Sequence, residues 1–136
     1  MDRLVEHRAA QEDQVRVEVA AAEGRVRALR RRLDELRRER RGLSERRPAT
    51  GAGELARVEA YRDRLRAEMA RIQQELDQAI AELRPVQEAL TGAGQERIAA
   101  ERLQARDRDA LQARDAAHEQ DDEDEAGARL RTGEDG

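Results

Sequence analysis

The feature that most constrains this chain is a pair of heptad stripes separated by one helix-breaking segment. In each stripe, apolar residues recur at alternating spacings of three and four, with charged residues between them. The first stripe comprises Val15, Val19, Ala22, Val26, Leu29, Leu33, Leu36, Arg40 and Leu43, and the second comprises Leu55, Val58, Arg62, Leu65, Met69, Ile72, Leu76, Ala79, Leu83, Val86 and Leu90. A mean spacing of about 3.5 residues keeps such a stripe on one side of a helix, which is typical of a coiled coil.

The segment between the stripes, residues 47–53, reads Arg-Pro-Ala-Thr-Gly-Ala-Gly. A residue that precedes proline is disfavoured in helical geometry, so the first helix should end by Arg47. We therefore predict an all-α fold, an elongated antiparallel two-helix coiled-coil hairpin that forms a single domain over residues 1–136. Helix 1 spans about 2–46, the turn 47–53, helix 2 about 54–131 and a tail 132–136.

Two places weaken the second helix. Pro85 removes a backbone hydrogen bond, and we expect a kink there that packing across the seam holds in line. Residues 91–94, Thr-Gly-Ala-Gly, favour a break, so a separate third helix from Gln95 remains an alternative.

A turn centred near Thr50 fixes which residues face each other. It places Leu43 opposite Leu55, Leu29 opposite about Met69, and Val15 opposite about Leu83. Before Val15 the seam positions would be Val5, Arg8 and Glu12, and residues near the N-terminus face about 93–98. Residues after about 100 then have no partner from this chain, and an isolated charged helix is only marginally stable in water.

Composition excludes a compact globular enzyme. Charged residues make up 43% of the 136 residues, Tyr61 is the only aromatic residue, and cysteine is absent. Disorder is the rival interpretation for so polar a chain, but disordered segments do not keep a heptad over several repeats. His7 and His118 stand alone and the acidic run lacks calcium-loop spacing, so we expect no catalytic site, metal or cofactor. No apolar stretch could serve as a signal peptide or membrane span, and we expect a cytoplasmic protein.

Charge is segregated along the chain. Residues 25–47 hold eleven arginines against four acids, whereas residues 119–125 hold six acids and no base. The candidate site near the turn is an arginine face formed by Arg30, Arg31, Arg37, Arg38 and Arg41. Helical spacing predicts that Arg31 and Arg38 pair with Asp34 or Glu35, and that Arg41 pairs with Glu45. These arginines fit an acidic protein surface better than nucleic acid, because no aromatic residues are interleaved to stack on bases.

Three stretches resemble a known family. They are the run from Tyr61, YRDRLRAEMARIQQEL, the run from Glu101, ERLQARDRD, and the run from Glu119, EQDDEDEAGAR. The first is similar to the start of the second arm, and the others to the closing helix, of the YscO and FliJ stalk proteins of bacterial type III secretion. The chain departs from the family pattern at Arg102, where lysine is common, and at Pro85 and the 92–94 glycines.

The resemblance implies a non-enzymatic stalk that binds the hexameric secretion ATPase, contacts the export gate and binds export chaperones. It would be peripheral to the inner membrane through these partners only, and no nucleic acid is expected. Its contacts would be the arginine face and a C-terminal surface formed by Arg102, Arg106, Arg114, Glu119, Asp121 and Asp122. Two alternatives remain, namely a generic coiled-coil scaffold that dimerises through its seam and a nucleic-acid-binding helical protein.

Overall fold

The computed structural model describes residues 2–46 and 51–134, which form two long α-helices. Helix α1 is Asp2–Glu45 and helix α2 is Ala52–Glu134. Neither described range contains a strand, and the two helices pack together as a hairpin. The prediction of an all-α helical hairpin is therefore confirmed. The first four residues of the predicted turn, 47–50, lie outside the described residues.

Helix α2 is longer at both ends than the sequence predicted. It begins at Ala52 rather than 54, because the Leu55 amide donates to the Gly51 carbonyl at 2.8 Å and so closes the first helical turn from Gly51. The acidic Glu54 in this first turn complements the positive end of the helix dipole. At the other end α2 continues to Glu134, three residues into the predicted tail, and the basic Arg131 lies in its last turn.

Helix α2 is continuous through Pro85 and through residues 91–94, the two places where the sequence weakens it. Pro85 is exposed, whereas Leu83 and Val86 on either side of it are half-buried and hold the seam in register. The helix continues through Gly92 and Gly94, and no glycine in the described ranges has a positive φ. The separate third helix from Gln95 therefore does not form as an element of its own. The kink at Pro85 stays a prediction.

The chain divides into two compact units. One is Glu12–Gly92, and the other is Met1–Gln11 together with Ala93–Gly136. The prediction of a single domain over 1–136 stays a prediction.

The core of the 12–92 unit consists of the predicted seam residues. Its buried members are Val26, Leu33, Leu36, Leu65, Ile72, Leu76 and Ala79, and Leu29, Leu43, Met69 and Leu83 pack against them. Leu36 has an exposed fraction of 0%. Burying a leucine or isoleucine side chain contributes about 1.5–3 kcal/mol, so this seam supplies the main stabilising term of the hairpin.

Cross-helix bonds report the register of the hairpin. The Arg32 guanidinium donates to Glu68 at 2.9 Å, two residues from the partner that a turn near Thr50 predicts. Arg25 reaches further along α2, to Glu82 at 3.7 Å. Side chains on a helix tilt toward its N-terminus, so in an antiparallel pair the arginine leans away from the turn while the glutamate leans toward it.

The seam contains a buried acid at its far end. Glu12 is only 6% exposed and accepts a hydrogen bond from Arg16 Nη2 at 2.8 Å. Glu12 occupies a seam position of the heptad, so its carboxylate lies where an apolar side chain is usual.

The other unit has little core. Arg8 donates to Glu96 at 2.9 Å, and Ala100 is buried. From residue 101 to 131 only Gln104 and Gly127 are half-buried and all other residues are exposed, including Leu111 and Leu130 at 59% and 73%. The seam fades after residue 100 as its sequence pattern predicts, because alanine, glutamine and charged residues replace the large apolar ones.

Candidate partner-binding surfaces

All five residues of the arginine face are exposed on α1. The seam leucines of α1 turn toward α2, so the arginines between them project outward. Arg37 forms an ion pair with Asp34 at 3.6 Å. In the part of the chain that the structure describes, the guanidinium groups of Arg30, Arg31, Arg38 and Arg41 have no hydrogen-bond or ion-pair partner.

The predicted ion pairs of Arg31, Arg38 and Arg41 with acids on α1 are wrong. Asp34 pairs with Arg37, three residues ahead, and Glu35 pairs with Arg32, three residues behind, so neither is bound to Arg31 or Arg38. The Arg41–Glu45 pair does not form within residues 2–46 either. Each exposed helix pair is worth only a few tenths of a kcal/mol, and several arginines compete for each acid. More positive charge is therefore left unbalanced than spacing alone suggested.

Two open grooves lie on this part of the hairpin. The first, which we call the α1 groove, has a volume of about 520 Å³ and is lined by Asp34, Arg37, Arg38, Arg40 and Arg41. The second, which we call the seam groove, has a volume of about 240 Å³ and is lined by Arg40, Ser44, Arg62 and Arg66. Arg40 borders both grooves. Because α1 and α2 both contribute to it, the seam groove is a surface of the hairpin and not of one helix.

Sequence reasoning missed the seam groove, although it named two of its residues. Arg40 and Arg62 both occupy positions of the heptad stripes, where an apolar side chain would normally be. In the structure Arg40 is exposed and Arg62 is half-buried, so the seam opens here instead of closing. A charged residue at a seam position on each helix, ten and twelve residues from Thr50, was the signal that could have found it.

The positive charge of the two grooves is only partly compensated. Arg62 and Arg66 form loose ion pairs with Glu59 and Asp63 on their own helix, at 3.6 and 3.8 Å. Adding Asp34, three carboxylates accompany the six arginines that line the grooves, which leaves an excess of three positive charges.

Hydrogen bonds between α1 and α2 stabilise the hairpin beside the grooves. Arg32 contacts both Glu68 and Glu35, and its hydrogen bond to Glu68 is the main reason that the pKa of Arg32 is raised above its usual value. Tyr61 of α2 donates to Glu39 of α1 at 3.1 Å, and this bond raises the pKa of the Tyr61 phenol.

The C-terminal surface lies on α2, and all six of its predicted residues are exposed. Among the described residues none of the six has an ion-pair or hydrogen-bond partner through its side chain. Within the acidic segment 119–125, Gln120 donates to Asp124 at 3.2 Å. Because no arginine lies in that segment, its six carboxylates form a strongly negative strip.

The expected absence of a metal site or cofactor stays a prediction. His7 and His118 are exposed, and no group of three metal-ligating side chains comes together in residues 2–46 and 51–134. Neither α1 nor α2 contains, over its described residues, an apolar stretch that could cross a membrane.

Comparison with protein families gives one match that covers almost the whole chain. The model of the family described as flagellar FliJ protein matches residues 1–134. Neither the curated proteins nor the solved structures contain a match. The matched range includes the arginine face, both grooves and the C-terminal surface.

Proposed function

This chain belongs to the FliJ family of flagellar and type III export-associated coiled-coil proteins, and from that premise we propose that it is a non-enzymatic stalk protein of a bacterial export apparatus. It binds the hexameric export ATPase, couples the ATPase to the export gate and binds export chaperones. It works in the cytoplasm and reaches the inner membrane only through these partners.

The exposed part of α2 is the observation that carries the proposal beyond family membership. Residues 101–131 form a continuous helix, yet their large apolar side chains, Leu103, Leu111 and Leu130, are exposed. A charged helix without a packed face is only marginally stable by itself. Such a segment is suited to gain its packing from another protein, and the C-terminal surface lies on it.

The arginine face supplies a second contact of different chemistry. Arg38 and Arg41 are exposed and have no acidic partner within the described ranges. Guanidinium groups bind carboxylates through paired hydrogen bonds, so this face suits a partner with an acidic surface. Opposite charges on the two proteins would also raise the association rate.

Binding to the cognate export ATPase tests the proposal directly. We expect the purified chain to co-purify with the ATPase at low ionic strength and to promote its assembly into hexamers. Arg38→Glu with Arg41→Glu should weaken this binding about tenfold or more, because both charges face outward. Arg57→Glu with Arg64→Glu is the matched control, since it changes the net charge equally at exposed positions outside both grooves.

Circular dichroism of each variant separates binding from folding. Helicity should stay unchanged while ATPase binding falls only in the Arg38/Arg41 variant. Absence of any association with the ATPase at low salt would overturn the proposal. A steep salt-dependent shift of duplex DNA by the wild-type chain would favour the nucleic-acid alternative instead.

A further inference from the structure

The seam groove carries charge that the hairpin itself does not use. Arg40 has no acidic partner among the described residues, while Arg62 and Arg66 hold theirs only loosely. Arginine at a coiled-coil seam position costs stability relative to an apolar residue. Here that cost occurs on both helices at the same level, and it produces a positively charged groove with a hydroxyl, Ser44, at its edge.

The acidic segment 119–125 has the opposite property. Glu119, Asp122 and Glu123 are spaced so that they share one face of α2, and Asp115 extends that face by one turn. All four are exposed and none is bonded to an arginine in the described part of the chain. Ala116 and Ala126 lie on the same face, and their small side chains permit close approach of another helix.

The two surfaces match in length as well as in charge. On α1 the seam groove is lined by Arg40 and Ser44, and on α2 by Arg62 and Arg66, so each helix lines it over one turn, about 6 Å at about 1.5 Å per residue. Glu119 and Glu123 lie the same distance apart along their helix, about 6 Å. A third helix placed along a groove between two others is a common recognition mode, and carboxylate–guanidinium pairs would fix its position.

We propose that this chain associates with itself, the acidic segment of one copy binding in the seam groove of a second copy. The carboxylates of residues 115–123 meet Arg40, Arg62 and Arg66 of the other molecule. The occupant follows from charge complementarity, since three arginines line the seam groove against two loosely held carboxylates, whereas residues 115–123 carry five carboxylates and no arginine. This inference does not rest on the proposed function, and its test uses the chain alone.

Sedimentation velocity of the full chain tests the contact. At about 0.02 M salt we expect concentration-dependent association, weakened about tenfold or more at about 0.5 M salt, where screening shortens the range of the charges to a few ångströms. Arg40→Glu with Arg62→Glu should abolish association, and so should Asp122→Arg with Glu123→Arg. The Arg57→Glu, Arg64→Glu protein is the matched control and should associate like the wild type.

Mixing the two deficient variants gives the decisive result. The first variant keeps an intact acidic segment and the second keeps an intact groove, so their mixture should associate although neither does so alone. Circular dichroism must show unchanged helicity in both. A wild-type chain that stays monomeric at low salt, variants that still associate, or a mixture that stays monomeric would each overturn the proposal. Failure of ATPase binding would leave this result unaffected.

Discussion

The Tyr61 hydroxyl of α2 donates a hydrogen bond of 3.1 Å to the Glu39 carboxylate of α1. The bond joins the only aromatic residue of the chain to the opposite helix, next to Arg40 of the grooves. It forms because Glu39 and Tyr61 lie at nearly the same level from the turn, two residues from the predicted register. A single chromophore therefore reports on the pairing of the two helices.

Titration of Tyr61 should show this bond. The phenol donates to Glu39 only while protonated, so its pKa lies above the ordinary 10.0. The bond therefore stabilises the hairpin below about pH 10 and is lost as pH rises through the higher pKa of the folded chain. Tyrosinate absorbance should show a midpoint above that of the chain in denaturant. Glu39→Ala should move the midpoint of the folded chain back toward 10.0, and an unmoved midpoint would contradict the bond.

Replacing Leu36 should test the seam. Leu36→Ala leaves a cavity at the only fully buried large side chain among the described residues, and we expect a loss of about 2–5 kcal/mol in the free energy of unfolding. Leu55→Ala is the matched control, because Leu55 is 54% exposed and should cost less than about 1 kcal/mol. Urea denaturation followed by circular dichroism measures both. Equal losses would mean that the seam does not close at Leu36.

Continuity of α2 can be tested at Gly92. The residue is helical, its φ is not positive, and an added Cβ would have nothing within 4 Å. Gly92→Ala should therefore raise the free energy of unfolding by up to about 1 kcal/mol. Gly127→Ala meets equally open space but lies where the helix has no core, so helicity should rise without a shift of the main denaturation midpoint. Destabilisation by Gly92→Ala would indicate a break at 91–94.

Filling the seam groove with apolar side chains should stabilise the hairpin and abolish self-association. Arg40→Leu with Arg62→Leu restores apolar residues to both stripes, and we expect about 1–3 kcal/mol of additional stability from their burial. The same change removes two of the arginines that bind the acidic segment, so self-association should be lost. Thermal unfolding and sedimentation measure the two effects. A more stable chain that still associates would place the contact elsewhere.

Much of the fold could be predicted from heptad spacing. Burial depends on which face of a helix a residue occupies, and spacing determines that face; residues such as Leu33, Leu65 and Ile72 are accordingly buried. The end of the seam near residue 100 follows from the same pattern. Helix bounds were less predictable, because Gly51 closes the first turn of α2 and because α2 continues through Gly92, a residue type that usually favours a break.

The site was less predictable than the fold. Asp34 has several arginines within helical reach, and pair energies of a few tenths of a kcal/mol do not decide between them. The choice of Arg37 therefore needed side-chain positions. The seam groove needed the register of α1 against α2, because Arg40 and Arg62 come from different helices and become neighbours only when the hairpin closes.

Arginine is the only basic side chain besides histidine in this sequence, and no lysine lines either groove. A guanidinium group does not release its proton under any condition a living cell meets. The arginines of both grooves thus stay positively charged whatever the acidity of their surroundings. Dissolved salt shields these charges, so ionic strength is the variable that weakens or strengthens their attraction to an acidic surface.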